Sequence, residues 1–215
     1  MQGGIFTEHF GAEHWLFVFS VYCIMGWMQE SAIESLYHKH PVNRGFLKGP
    51  YIPIYGIGGI LLLFICMPFR DNPFAVFGIA LSSCTLLEYF AGWMMETFFG
   101  KQFWDYSMMK FTYKNRISLL SSLFWGVMGL FVTYIVADAT QFAVMHLPMQ
   151  LIRAVAILIP LVMTVDLFIT AKKQIDTESI GRTFRLANIG AHINVISRLR
   201  GHFHDDGYNN GDDDE

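Results

Sequence analysis

Five long apolar runs, residues 15–37, 51–69, 74–99, 117–137 and 150–171, limit what this chain can fold into more than any other feature. About 20 apolar residues in a helix cross the roughly 30 Å hydrocarbon core of a bilayer. Backbone polar groups facing lipid must be bonded within the structure, and single runs of this length meet that demand as helices. Charged residues make up only 15% of the chain, where a soluble domain carries about a quarter. The expected fold is an all-α membrane protein, a bundle of about five transmembrane helices. Its expected parts are a short extracytoplasmic N-terminus over 1–14, the helical membrane domain over 15–171, a cytoplasmic amphipathic helix within 172–204 and a disordered acidic tail over 205–215.

The distribution of charge sets the expected orientation. Of the fifteen lysines and arginines, thirteen fall in the first loop (Lys39, Arg44, Lys48), the third loop (Lys101, Lys110, Lys114, Arg116) and the region after the last run. Only Arg70 and Arg153 stand against them. Positive loops stay on the cytoplasmic side, so the N-terminus is expected outside and the C-terminus in the cytoplasm of a cell-membrane protein. The N-terminal segment lacks a basic region and a small-residue cleavage site, so the first run is expected to remain as a helix. The net charge of −3 reflects the acidic tail, whose glycines, asparagines and aspartates suit a solvated end. Arginines spaced among Ile, Leu, Phe and Val over 180–200 suit either a helix on an anionic leaflet or a soluble cap. Cys23, Cys66 and Cys84 sit in apolar runs without a CxxC pair and read as core fillers.

An ionisable group inside a span needs a partner, water or a proton. Glu88 lies near the middle of the third run, with Gly92 one turn on. It is either a substrate or proton site, or a carboxyl that locks two helices together. Glu30 and Glu34, four residues apart, share a helix face and either exchange cations or protons or face the basic loops. Glu96 and Asp166 join the same layer, which would form a charge-rich vestibule.

Two loops carry further candidates. The stretch 41–59 holds Asn43, Arg44, Gly45, Gly49, Pro50, Pro53, Tyr55 and Gly56, too broken for a regular element and too apolar for a floppy linker. Either it folds back into the bundle and presents backbone groups in a fixed arrangement, or it is a tight turn into the second helix. In the third loop Trp104 and Tyr106 suit the membrane interface, and Asp105 between them is expected to pair with Arg44 or Arg116.

Several motifs are missing. Without GxxxxGK[ST] the chain is not itself an ATP-hydrolysing engine. HEXXH, GxSxG and CxxCH do not occur, the loop histidines lack metal spacing, and no cofactor or metal is expected in this chain. Gly56, Gly58 and Gly59 fall in an apolar run and read as helix-packing positions.

The segments GWMQESAIESLY, NRGFLKGPYIPIYG, LEYFAGWMMETFFGKQFWDYS and NRISL, taken in this order, resemble the ABC-transporter type IV permease family, also called the CmpB family. The resemblance covers about 15–135. It implies a bacterial multi-pass inner-membrane permease, and it marks Glu30, Asn43, Arg44, Gly45, Gly49, Pro50, Pro53, Tyr55, Gly56, Glu88, Trp104, Asp105, Tyr106 and Arg116 as family positions. Where the family more usually has GRI, this chain has Asn115, Arg116 and Ile117. The expected function is a permease subunit that forms its pathway as a homo-oligomer among membrane lipids and borrows a cytoplasmic ATPase, with no nucleic-acid partner. A membrane-embedded enzyme acting on a lipid or amphiphile, and an assembly or regulatory protein, are the alternatives.

Overall fold

A computed structural model describes residues 10–100 and 102–175. Helix α1 spans Ala12–His38, α2 spans Pro53–Cys66 and closes in a 3-10 turn at Met67–Phe69, and α3 spans Pro73–Phe99. A two-stranded hairpin, β1 (Thr112–Tyr113) and β2 (Ile117–Ser118), precedes α4, Leu119–His146, and α5, Met149–Ile175. Four helices (α1, α3, α4 and α5) are long and apolar enough to cross a membrane. The expected C-terminal amphipathic helix and acidic tail lie outside the described residues.

Helix α2 is the exception among the five expected spans. At 14 residues it measures about 21 Å, less than the hydrocarbon thickness. The preceding loop makes up the difference by entering the bundle. Leu47, Tyr51 and Ile52 are buried, and the Ile52 amide donates to the carbonyl of Cys23, well inside α1, at 3.0 Å. Pro53 then starts α2 at a position where a missing N–H costs nothing.

The other boundaries follow from caps. Asn72 Oδ1 accepts from the amides of Phe74 and Ala75 at 3.1 and 3.2 Å and so begins α3, while Gly100, at φ 63°, ends it. The Ser118 hydroxyl accepts from the Ser121 amide at 3.0 Å to begin α4. The sequence places the end of the fourth span at 137, where the apolar run stops. The helix instead runs on to His146, since Asp138 has a partner in Arg70. Within α4, Val132–Val136 forms a wide π turn.

The helices meet through small residues, as expected where lipid removes the hydrophobic drive between helices. Gly59 of α2 lies flat against the Tyr22 ring of α1, and Gly129 of α4 against Ala80 of α3; a Cβ at either position would overlap its neighbour. Val18, Cys23, Cys66, Val76 and Ala80 are fully enclosed. The three cysteines are free and buried.

Candidate functional site

The first loop is fixed to the bundle from both sides. Val42 and Arg44 donate their amides to the hydroxyls of Ser35 and Ser31 on α1, at 2.9 and 3.1 Å. Asn43 bridges the loop to itself and to α1, its Nδ2 donating to the Lys48 carbonyl at 2.9 Å and its Oδ1 accepting from Trp27 Nε1 at 2.6 Å. From α5, one oxygen of Asp166 accepts from the Lys48 amide, the Gly49 amide and the Tyr51 hydroxyl at 2.9, 2.9 and 3.0 Å. Gly45 has φ 119°, which an L side chain rarely adopts, and a Cβ on Gly49 would enter the Tyr51 ring. Pro50 joins this anchored turn to the buried Tyr51.

Arg44 extends from the loop to Glu30 and Glu34 at 3.6 and 3.4 Å, and His38 meets Glu34 at 3.1 Å. The third loop makes a matching arrangement on α3. Arg116 donates from Nε and NH2 to Glu96 at 2.9 and 2.5 Å and lies over the Tyr89 ring at 5.5 Å. Trp104 Nε1 donates to the Arg116 carbonyl at 2.9 Å, pinning the two arms of the loop together. The carboxylate of Glu96 holds the Arg116 guanidinium above its ordinary value, so Arg116 stays charged.

Asp105 departs from expectation. It accepts from the amide and hydroxyl of Ser107 at 2.8 and 2.9 Å and pairs with neither arginine. A residue two positions away is reached at little entropic cost, and both arginines are engaged elsewhere. The two loops nonetheless meet, because Phe46 of the first packs on Phe103 of the third at 5.1 Å and on Phe99 at 4.8 Å.

Deeper in the bundle are two tyrosine–carboxyl pairs. Tyr55 of α2 donates to Glu30 Oε1 at 2.9 Å, and Tyr106 of the third loop donates to Glu88 Oε1 at 2.7 Å. The four groups are close enough to interact electrostatically. Burial, with Glu88 next, pushes the Tyr106 phenol up, so it remains a hydrogen-bond donor. Trp125 and Ser121 of α4 face the Glu88 carboxyl, yet its Oε2 is buried without a geometrically sound hydrogen bond. Tyr55 and Glu88 line a cavity of about 250 Å³ among α1, α2, α3 and α4, otherwise walled mainly by Met, Leu, Val and Phe side chains. Gly56 packs against Cys23 and Phe19, beside this cavity rather than in it.

The structure therefore joins Glu30, Glu34, Arg44 and Tyr55 in one group, Glu88 with Tyr106 in a second, and Trp104 with Arg116 and Glu96 in a third, with Asn43 and the loop glycines and prolines holding the first in place. Sequence reading missed Tyr51, Trp27, Ser121 and Trp125, polar-tipped residues in apolar surroundings with no spacing signal. It also missed the ties at the opposite end, where Arg70 forms a two-pronged pair with Asp138 at 2.7 and 2.6 Å and Arg153 meets Glu13 at 3.2 Å. Two arginines set apart from the basic loops, facing two lone acids, were the available signal.

Long apolar helices with charges paired at both ends and a carboxyl-bearing cavity between them define a multi-pass helical membrane protein. A family model described as "Putative ABC-transporter type IV" (ABC_trans_CmpB) matches residues 17–171. The chain belongs to that family, and is in that sense a transporter-related membrane protein. No curated protein and no solved structure matches it.

Proposed function

We propose that this chain is the membrane-spanning permease subunit of a transporter in a bacterial inner membrane, acting as an oligomer with a separate cytoplasmic ATPase. The observation that carries the reading is the cavity among the helices, within a chain of this family, bordered by Glu88 and Tyr55, in a bundle whose first and third loops pack on each other through Phe46 and Phe103. Charge bias supports a cytoplasmic position for those loops, where their basic and aromatic residues would offer a surface to an ATPase. Oligomerisation is supported by α5, whose most apolar stretch is only 11% buried, and by the small number of helices available to line a full pathway. The test is affinity purification of the tagged protein from its native membrane. An ATPase should copurify, and loosening it by exchanging Lys110 and Lys114 for Glu would place the contact on the third loop. Repeated recovery without any ATPase, under conditions that retain other membrane complexes, rejects the reading.

A second reading has one observation in its favour. Two tyrosine–carboxyl pairs beside an apolar cavity also suit acid–base work on an amphiphile at the cytoplasmic interface. Turnover of a lipid by the purified chain alone, without ATP, would select it.

A further inference from the structure

The carboxyl of Glu88 is only 6% exposed, its Oε1 accepts from Tyr106, its Oε2 is buried without a well-formed hydrogen bond although Trp125 and Ser121 lie near, and Glu88 is one of the residues that line the cavity. Buried polar atoms are nearly always partnered, so a carboxyl oxygen without a well-formed bond, on a residue that lines a cavity, marks a place for a further donor. Charge says what that is. Among the described residues, no Lys, Arg or His lines the cavity, and Glu88 takes part in none of the ion pairs. The nearest carboxyl, Glu30, shares Arg44 with Glu34, so the acids outnumber the arginines on this side of the cavity. Apart from Gln29 and from Tyr22, whose hydroxyl is bonded to Thr140, the remaining walls are apolar, and the Trp125 and Tyr55 rings add faces that attract cations. The lining residues Met25 and Met28 belong to α1, a helix long and apolar enough to cross a membrane, and are 42% and 58% exposed, which makes this wall the approach from the bilayer. A molecule entering there must dissolve in the bilayer.

We propose that this cavity binds a lipophilic organic cation, an ammonium group on an apolar body, with Glu88 Oε2 as its counter-charge and hydrogen-bond acceptor. As the substrate class of a transporter the assignment rests on the permease reading, whereas the binding itself needs no ATPase. The ammonium donates to Oε2 while Tyr106 holds Oε1, which fixes the carboxyl plane. The apolar body lies among Met25, Leu62, Leu87 and Phe131. Gly58, whose added Cβ would press on the Leu87 side chain at 3.3 Å, leaves the α2 wall low at this point.

A matched trio of probes tests it: 4-phenylbutylammonium, 4-phenylbutanol and 4-phenylbutyrate, alike in size and differing in charge. Equilibrium dialysis of the full chain in phosphatidylcholine nanodiscs, with empty discs subtracted, should show retention of the ammonium at least tenfold above the alcohol and none of the carboxylate. Glu88→Gln, nearly identical in shape, should lose that preference, and Glu88→Asp should keep part of it. Met28→Trp, at the exposed mouth, should weaken the ammonium without changing the melting temperature, which separates blocked access from misfolding. Equal retention of ammonium and alcohol overturns the proposal, and so does unaltered selectivity in a folded Glu88→Gln protein. Absence of any retention also overturns it, and is the outcome expected if a side chain of a second copy fills the cavity. Failure to copurify an ATPase leaves this result standing, and failure here leaves an ATPase partnership untouched.

Discussion

Asp166 and Arg44 show how differently two ionised residues in one layer contribute. Asp166 gathers three donors from the first loop on one oxygen and the Thr170 hydroxyl on the other. Its replacement by alanine strands two amides and a phenol at once. We expect Asp166→Ala to cost about 2–4 kcal/mol, read as a lowered midpoint in thermal unfolding of the detergent-solubilised protein. Arg44, 39% exposed in its side chain, sits at longer distances from two acids, and Arg44→Ala should cost about 0–1 kcal/mol. Arg44→Glu should cost visibly more than Arg44→Ala, because it sets three carboxyls together. Equal midpoints for all three variants would show that the loop is not held in this way. The sequence indicated Arg44 and the layer it belongs to, but not the order of importance. Basic character is visible in a letter, whereas the convergence of Lys48, Gly49 and Tyr51 on a residue more than a hundred positions away is a property of the folded chain.

Among the elements, the interfaces α1–α2 and α3–α4 depend on glycine. Gly59→Leu and Gly129→Val should each destabilise by about 1–3 kcal/mol through overpacking, measured by the same unfolding assay. Gly78 of α3, where an added methyl would meet nothing within 4 Å, is the control: Gly78→Ala should leave stability unchanged or slightly raised. Loss of stability at Gly78 equal to that at Gly59 would mean that glycine, not close approach, sets the cost. The existence of the helices was legible from hydropathy alone, because the bilayer imposes a length. Their ends were less so. By hydropathy the fourth span stops at 137 and the second span begins at 51. Both errors have one origin: the compensating partner, Arg70 in one case and the Cys23 carbonyl in the other, is distant in sequence. Asp105 is the converse, a residue assigned a remote partner when Ser107 was next door.

For the whole molecule, the arrangement sorts charges to two ends. Asp71 lies at the turn between α2 and α3, and Met108, 96% exposed, at the tip of the third loop. The three native cysteines are buried, so they give little background labelling. Single cysteines at Asp71 and Met108 should therefore react with a membrane-impermeant maleimide from opposite sides, with Met108→Cys modified only when the cytoplasmic face is opened. Reaction of Met108→Cys in intact cells, with Asp71→Cys modified only after opening, would reverse the topology and remove the proposed ATPase from the basic loops. What the sequence conveyed at this scale was the charge bias. The cavity was not legible, since its walls come from four helices that align only once the glycine contacts bring them together.

The wide turn at Val132–Val136 acts as a phase shifter for the rest of α4. One residue added to a helical turn rotates everything beyond it by about 100°, and it is in this rotated frame that Asp138 points at Arg70, while Tyr134, within the turn itself, donates to the Arg70 carbonyl at 2.5 Å. Deleting one residue from the turn would straighten the helix and swing Asp138 toward the lipid. The far end of the bundle would come unfastened while every apolar run in the sequence stayed almost as it was.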